Sequence, residues 1–71
     1  MPELRGFSGD RVIQILKRIG FELLRVKGSH SVLRNDERVC VVPLHYELAV
    51  GTLKSILRQA GISAQEFLKN A

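Results

Sequence analysis

Residues 25–45 read RVKGSHSVLRNDERVCVVPLH, and this stretch decides the architecture. Lys27-Gly28 and Asn35-Asp36-Glu37 interrupt runs of apolar, β-branched sequence, and interruptions that short join antiparallel neighbours. Three strands are therefore expected, over 21–26, from 29 or 30 to 34, and over 38–42. Phe21 and Leu23 alternate with Glu22, while Val39 and Val41 alternate with Cys40 and Val42. That is the pattern of a sheet with one face on a core and the other less protected. Pro43 has no N–H to give a ladder and stops the third strand. The chain's two histidines, His30 and His45, stand beside turn residues at the ends of this segment.

Outward from the strands the period changes from two to three and four. Upstream, Ser8-Gly9-Asp10 reads as a helix start, with Ser8 able to accept from a free backbone N–H and Asp10 placed against the positive end of the dipole. Val12, Ile15, Leu16 and Ile19 follow on one apolar face, with Gln14, Lys17 and Arg18 on the other. Gly20 ends this helix near residue 19, and Phe21 folds back on its last turn. Downstream, Val50, Leu53, Ile56, Leu57 and Ala60 make a second amphipathic helix closed by Gly61. Ser63-Ala64-Gln65-Glu66 is a capping box that opens a short third helix, offering Phe67 and Leu68 to the core. The expected order is α-β-β-β-α-α: one α+β domain over residues 1–71, a three-stranded antiparallel sheet with its helices on one face. This arrangement resembles the plan of the double-stranded RNA-binding domain, although a fold does not fix a function.

Length and composition set outer limits. A chain of 71 residues makes one domain that buries only about 60% of its unfolded surface. Cys40 is the only cysteine, so no internal disulfide contributes, and its place among valines marks it as a small buried hydrophobe in a reducing, cytoplasmic setting. The N-terminus lacks a secretory pattern and no apolar run approaches the roughly 20 residues that span a bilayer. The expectation is a soluble cytoplasmic protein with no membrane partner. Eleven Lys and Arg against seven Asp and Glu give a net charge of +4. On a small surface such a balance favours polyanionic partners, nucleic acid first, although solubility alone also accounts for a modest basic excess.

The chemistry lies with the histidines. An imidazole of pKa about 6.5 accepts a proton at neutral pH and returns it one step later, which suits cleavage of a phosphodiester by its own 2′-hydroxyl. Such a step uses no metal and no cofactor. Gly28 permits close backbone approach and Ser29 adds a hydroxyl and an N–H beside His30, so phosphate can rest on this turn. Arg25, Lys27, Arg34 and Arg38 are the cations nearest in sequence. The plainer alternative is a solvent-facing strand histidine after ordinary turn residues. For His45 the corresponding alternative is a capping residue bonded to backbone. A zinc site of His30, Cys40 and His45 lacks a fourth ligand and matches no ligand spacing. Ser29 and His30 do not make a hydrolase pair, because adjacent strand residues point to opposite faces.

A set of short motifs carries a family resemblance. Gly20-Phe21-Glu22, Lys27-Gly28-Ser29-His30, Val42-Pro43-Leu44-His45, Gly51-Thr52-Leu53 with Ile56-Leu57, and Ala60-Gly61-Ile62 with Glu66-Phe67-Leu68 occur in this order from about Ser8 to Leu68. Together they resemble the HicA-type toxins, also called the YcfA-like family. The resemblance implies a double-stranded RNA-binding-like fold, a ribosome-independent mRNA interferase activity and a HicB-type antitoxin that masks the toxin surface. It assigns the essential histidine of the Gly-Ser-His motif to His30 and a second frequent family histidine to His45. Family members often carry lysines before the Gly-Thr-Leu segment. Here Tyr46-Glu47-Leu48-Ala49-Val50 offers no cation there, and Tyr46 is either a base-stacking residue or an aromatic at the edge of the core.

The reading is thus the toxin of a type II toxin-antitoxin pair, a metal-independent endoribonuclease acting on mRNA. His30 is its general base or acid, with Lys27, Ser29, Arg25, Arg34 and Arg38 as RNA contacts and His45 and Tyr46 as candidate accessories. An RNA-binding module that holds RNA without cutting it is the alternative. A third reading makes the domain only the interaction partner of a repressor.

Overall fold

The computed structural model describes residues 3–71. Its elements run α1 (Gly9–Ile19), β1 (Glu22–Lys27), β2 (His30–Asn35), β3 (Arg38–Pro43), α2 (Val50–Ala60) and α3 (Ala64–Lys69). The expected order is met, and each strand ends one residue later than the sequence pattern placed it.

Local signals act as their chemistry requires. Ser8 is extended before α1, and its Oγ accepts the Arg11 N–H at 3.1 Å. At the other end Gly20, at φ 126°, lets the Phe21 N–H reach back to the Leu16 carbonyl at 2.9 Å. Phe21 is thereby buried against the helix it follows. Gly61 ends α2 in the left-handed region, with the Ile62 N–H on the Leu57 carbonyl at 3.1 Å. Ser63 Oγ accepts the Glu66 N–H at 3.0 Å and opens α3.

The sheet has the order β1-β2-β3, antiparallel throughout. Lys27 pairs with His30 and Asn35 with Arg38, so both connections are two-residue loops, Gly28-Ser29 and Asp36-Glu37. Gly28 and Asp36 have positive φ and their successors do not, the sign pattern of a type II′ turn. Of the two alternating sets, Ser31, Leu33, Cys40 and Val42 are the buried one. The helices cover that face. Val12, Ile15 and Leu16 of α1 meet it together with Leu53, Ile56 and Leu57 of α2 and Phe67 of α3. Ile13 joins the apolar face of α1, which is wider than the four spaced residues indicated. Phe67 packs edge-on against Phe7 at a centroid distance of 5.1 Å. Each such aliphatic or aromatic side chain contributes about 1.5–3 kcal/mol on full burial. Burial also pushes the Cys40 thiol pKa up to about 11, in keeping with its place as a core hydrophobe. No helix among the described residues is long and apolar enough to cross a membrane.

One irregularity sets what the other face shows. The β1–β2 register passes from Leu23↔Leu33 to Arg25↔Val32, leaving Leu24 as an extra residue in a bulge. Strict alternation after the inward Leu23 would turn Arg25 and Lys27 toward the core. The bulge reverses the alternation and turns both cations outward.

Candidate active site

On the face without helices the strand register arranges nine side chains in three cross-strand rows. Lys27, His30 and Pro43 form the first, Arg25, Val32 and Val41 the second, and Glu22, Arg34 and Val39 the third. His30 opens β2 and is exposed, with Lys27 directly opposite it on β1. Between them the turn at Gly28 is open: a Cβ there would meet nothing within 4 Å, so the glycine answers the backbone angle rather than a shortage of space. Ser29 is exposed at the same turn.

His45 reaches this end of the sheet through the backbone. The Leu44 N–H donates to the Ser29 carbonyl at 2.7 Å, tying the segment after β3 to the turn that precedes His30. The Gly9 N–H donates to the His45 carbonyl at 2.9 Å, and the Leu48 N–H to the Phe7 carbonyl at 2.8 Å. A loop so fixed still leaves Tyr46 100% exposed. Of the two readings of that aromatic, the edge-of-core one does not hold.

The cations divide by position. Lys27 shares the row of His30 and Arg25 lies in the next. Arg34 stands four residues from His30 along the same strand, about 13 Å at the usual rise. Among the described residues the one ion pair within 4 Å joins Arg5 to Glu3, so none of these three is neutralised by a carboxylate at that distance. Arg38 is not brought to His30. It alternates with the outward Val39 and lies at the opposite end of the sheet, where a Cβ on Gly61 would come within 2.8 Å of its guanidinium. There its charge lies beside the carbonyl end of α2, a place that favours a cation. Cys40 lies on the core face and the histidines do not, so the three side chains do not converge.

Two contributors to this site carried no mark in the sequence reading. Gly9, counted there only as part of a helix start, has no room for a side chain, because a Cβ would run into the Pro43 carbonyl oxygen. That contact lets the first turn of α1 seat against Pro43 and Leu44 and hold the His45 loop. The bulge at Leu24 had one faint signal, the Leu23-Leu24 doublet followed by a fresh alternation through Arg25, Val26 and Lys27.

No curated protein matches the chain. A family model described as the HicA toxin of bacterial toxin-antitoxin systems matches residues 9–62, which take in α1, all three strands, both histidines and α2. The match covers most of the 71 residues and every residue of the outward rows, and this chain belongs to the HicA toxin family.

Proposed function

We infer that this toxin is an endoribonuclease that cuts mRNA without a metal ion, with His30 as its proton-transfer residue. The observation that supports this reading best is the row in which the exposed His30 stands opposite Lys27, beside an open turn and near cations that have no carboxylate within 4 Å among the described residues. Neutral His30 takes the proton of a 2′-hydroxyl as its oxygen attacks the adjacent phosphorus. The P–O5′ bond then breaks with its electron pair on the 5′-oxygen, leaving a 2′,3′-cyclic phosphate. The leaving oxygen needs a proton, which imidazolium supplies; His45, held at the same end, is the accessory candidate. Lys27 and Arg25 offset charge on the phosphoryl oxygens, Ser29 offers a hydroxyl, and Arg34 holds the RNA strand further along. Tyr46 offers a ring to a neighbouring base. Arg38, facing away, enters only where RNA wraps around the edge of the sheet. The work is done in the cytoplasm, and a HicB-type antitoxin of a type II pair holds the activity in check.

Incubation of the purified protein with single-stranded RNA in excess chelator tests this. Cleavage is expected to persist and to fall about a hundredfold or more in His30→Ala, the range of lost acid-base catalysis. Wild-type protein that binds RNA and never cuts it is instead the non-catalytic RNA-binding module that the same unpaired cations would serve.

A further inference from the structure

The helices do not cover the whole inner face of the sheet. Val26 pairs with Ser31 and Ser31 with Val42, so the three share one row on the core side. Ser31 and Val42 are fully buried there, whereas Val26 is 51% exposed. The row runs out from under α1 at β1, leaving a groove of about 320 Å³ between that helix and the strand. Leu23, Val26 and Leu44 give it apolar walls, and the Ser31 Oγ, buried and without a hydrogen-bond partner, belongs to its lining. Apolar surface around an unpaired hydroxyl calls for an occupant with both apolar and polar groups.

The helix side of the groove decides which occupant fits. Asp10, Ile13, Gln14 and Lys17 stand at i, i+3, i+4 and i+7, one stripe along α1, and all four line the groove. A negative charge opens the stripe, a positive charge closes it about 10.5 Å further on, and an amide stands midway. Neither charge has an opposite partner within 4 Å among the described residues. Such a stripe is self-complementary. A second α1, reversed about a two-fold axis at Gln14, sets its Lys17 on Asp10 and its Asp10 on Lys17. The reversal also opposes the two helix dipoles. Gly9 rests on Pro43 and Leu44 at one end of α1, and Phe21 folds back at the other, so β1 runs back along the helix from Leu23, near Lys17, to Val26, near Asp10. The same rotation therefore brings Val26 of each copy to Leu23 of the other. The outer edge of β1 is a poorer seat, because the bulge at Leu24 interrupts its ladder and Glu22, Arg25 and Lys27 charge it.

We propose that this groove docks a second copy of the chain, in a two-fold dimer held by Asp10–Lys17 pairs in both directions around Gln14 and by Val26 against Leu23. The net charge of +4 on each copy opposes the association, which the short-range pairs and the apolar contact have to outweigh. The outward face with His30 stays open in both copies, and the dimer does not depend on the reaction inferred above.

Sedimentation equilibrium of the purified protein tests this. Wild type is expected to show a reversible monomer–dimer equilibrium below about 1 mM. Lys17→Glu sets like charges against each other at both ends and should raise the dimer Kd at least about tenfold. Adding Asp10→Lys exchanges the two signs and should bring the Kd back to within about threefold of wild type. Circular dichroism and a urea midpoint show that each variant is folded. Val26→Thr leaves the helix untouched and keeps a β-branched side chain in the strand, and it should raise the Kd as well. Wild-type protein that stays monomeric overturns the proposal, as does a Kd that Lys17→Glu leaves unchanged or a loss that the exchanged pair does not reverse. Should the helix variants fail to fold, an unchanged Kd in Val26→Thr overturns it alone.

Discussion

Lys27 lies directly opposite His30 across the β1–β2 ladder, on the face of the sheet that no helix covers. Arg38, equally close to the strands in sequence, lies on the other face against Gly61. The two cations should therefore differ in RNA binding. Lys27→Ala is expected to lower the slope of log K against log salt by about 0.7–1, the release of one counterion, while Arg38→Ala leaves it unchanged. Titrations of a fluorescent RNA between low and moderate salt give both slopes. Equal slopes in the two variants would remove Lys27 from the phosphate contacts.

The bulge at Leu24 yields a sharper test of how β1 is aimed. Deleting Leu24 places Arg25 directly after the inward Leu23, so the ladder closes without a bulge and Arg25 and Lys27 keep their outward places opposite Val32 and His30. The deletion variant should therefore fold, with a urea midpoint close to that of wild type, and should keep its affinity for RNA. A variant that unfolds, or that folds and no longer binds RNA, would mean that the bulge does more than set the alternation.

These two cases mark what the sequence could and could not disclose. Helix starts and stops were legible because Ser8, Gly20, Gly61 and Ser63 act through backbone groups within a few residues of themselves. The strand pattern was legible as a pattern but not as a direction. Val39-Cys40-Val41-Val42 has apolar residues on both faces, and only the packing of α1 and α2 selects Cys40 and Val42 for the core. The position of His30 at a strand start followed from its turn. The pairing of Lys27 with His30, the exclusion of Arg38 and the tie from Ser29 to Leu44 depend on register and on contacts between distant segments, which no local spacing encodes.

Gly9 and Gly51 separate two roles of a helical glycine. A Cβ at Gly9 collides with the Pro43 carbonyl, whereas at Gly51 it meets nothing within 4 Å. Gly9→Ala should destabilise the fold by about 1–3 kcal/mol, the range for overpacking, and should loosen the loop of His45 that the Gly9 N–H holds. Gly51→Ala should stabilise it by about 0.5–1 kcal/mol through the lower backbone entropy of the unfolded chain. Urea unfolding of both variants decides the matter; a neutral Gly9→Ala would show that α1 does not need this close approach.

Tyr46 stands fully exposed on a loop fixed at Leu44, His45 and Leu48 by backbone hydrogen bonds. Stacking of a base on such a ring is worth about 1–3 kcal/mol. Tyr46→Ala should weaken binding of a single-stranded oligonucleotide accordingly, about fivefold or more, while Tyr46→Phe keeps it, since the ring and not the hydroxyl makes the stack. A Phe variant as weak as the Ala variant would assign the phenol a hydrogen bond and end the stacking account.

Cys40 fixes the pH dependence of stability at the alkaline end. Burial raises its thiol pKa from 9.0 to about 11, so the folded state holds the proton more tightly than the unfolded one. The associated stability is fully present below pH 9 and is lost as pH rises toward 11, because in that window the unfolded chain sheds a proton that the folded chain keeps. At 1.36 kcal/mol per unit of pKa difference the loss amounts to about 2–3 kcal/mol. The comparison that isolates the thiol is wild type against Cys40→Ala. The variant should be less stable at pH 7 for want of core volume, and that gap should narrow between pH 9 and 11. A gap that stays constant across this range would mean that the thiol ionises as readily in the folded protein as in the unfolded chain.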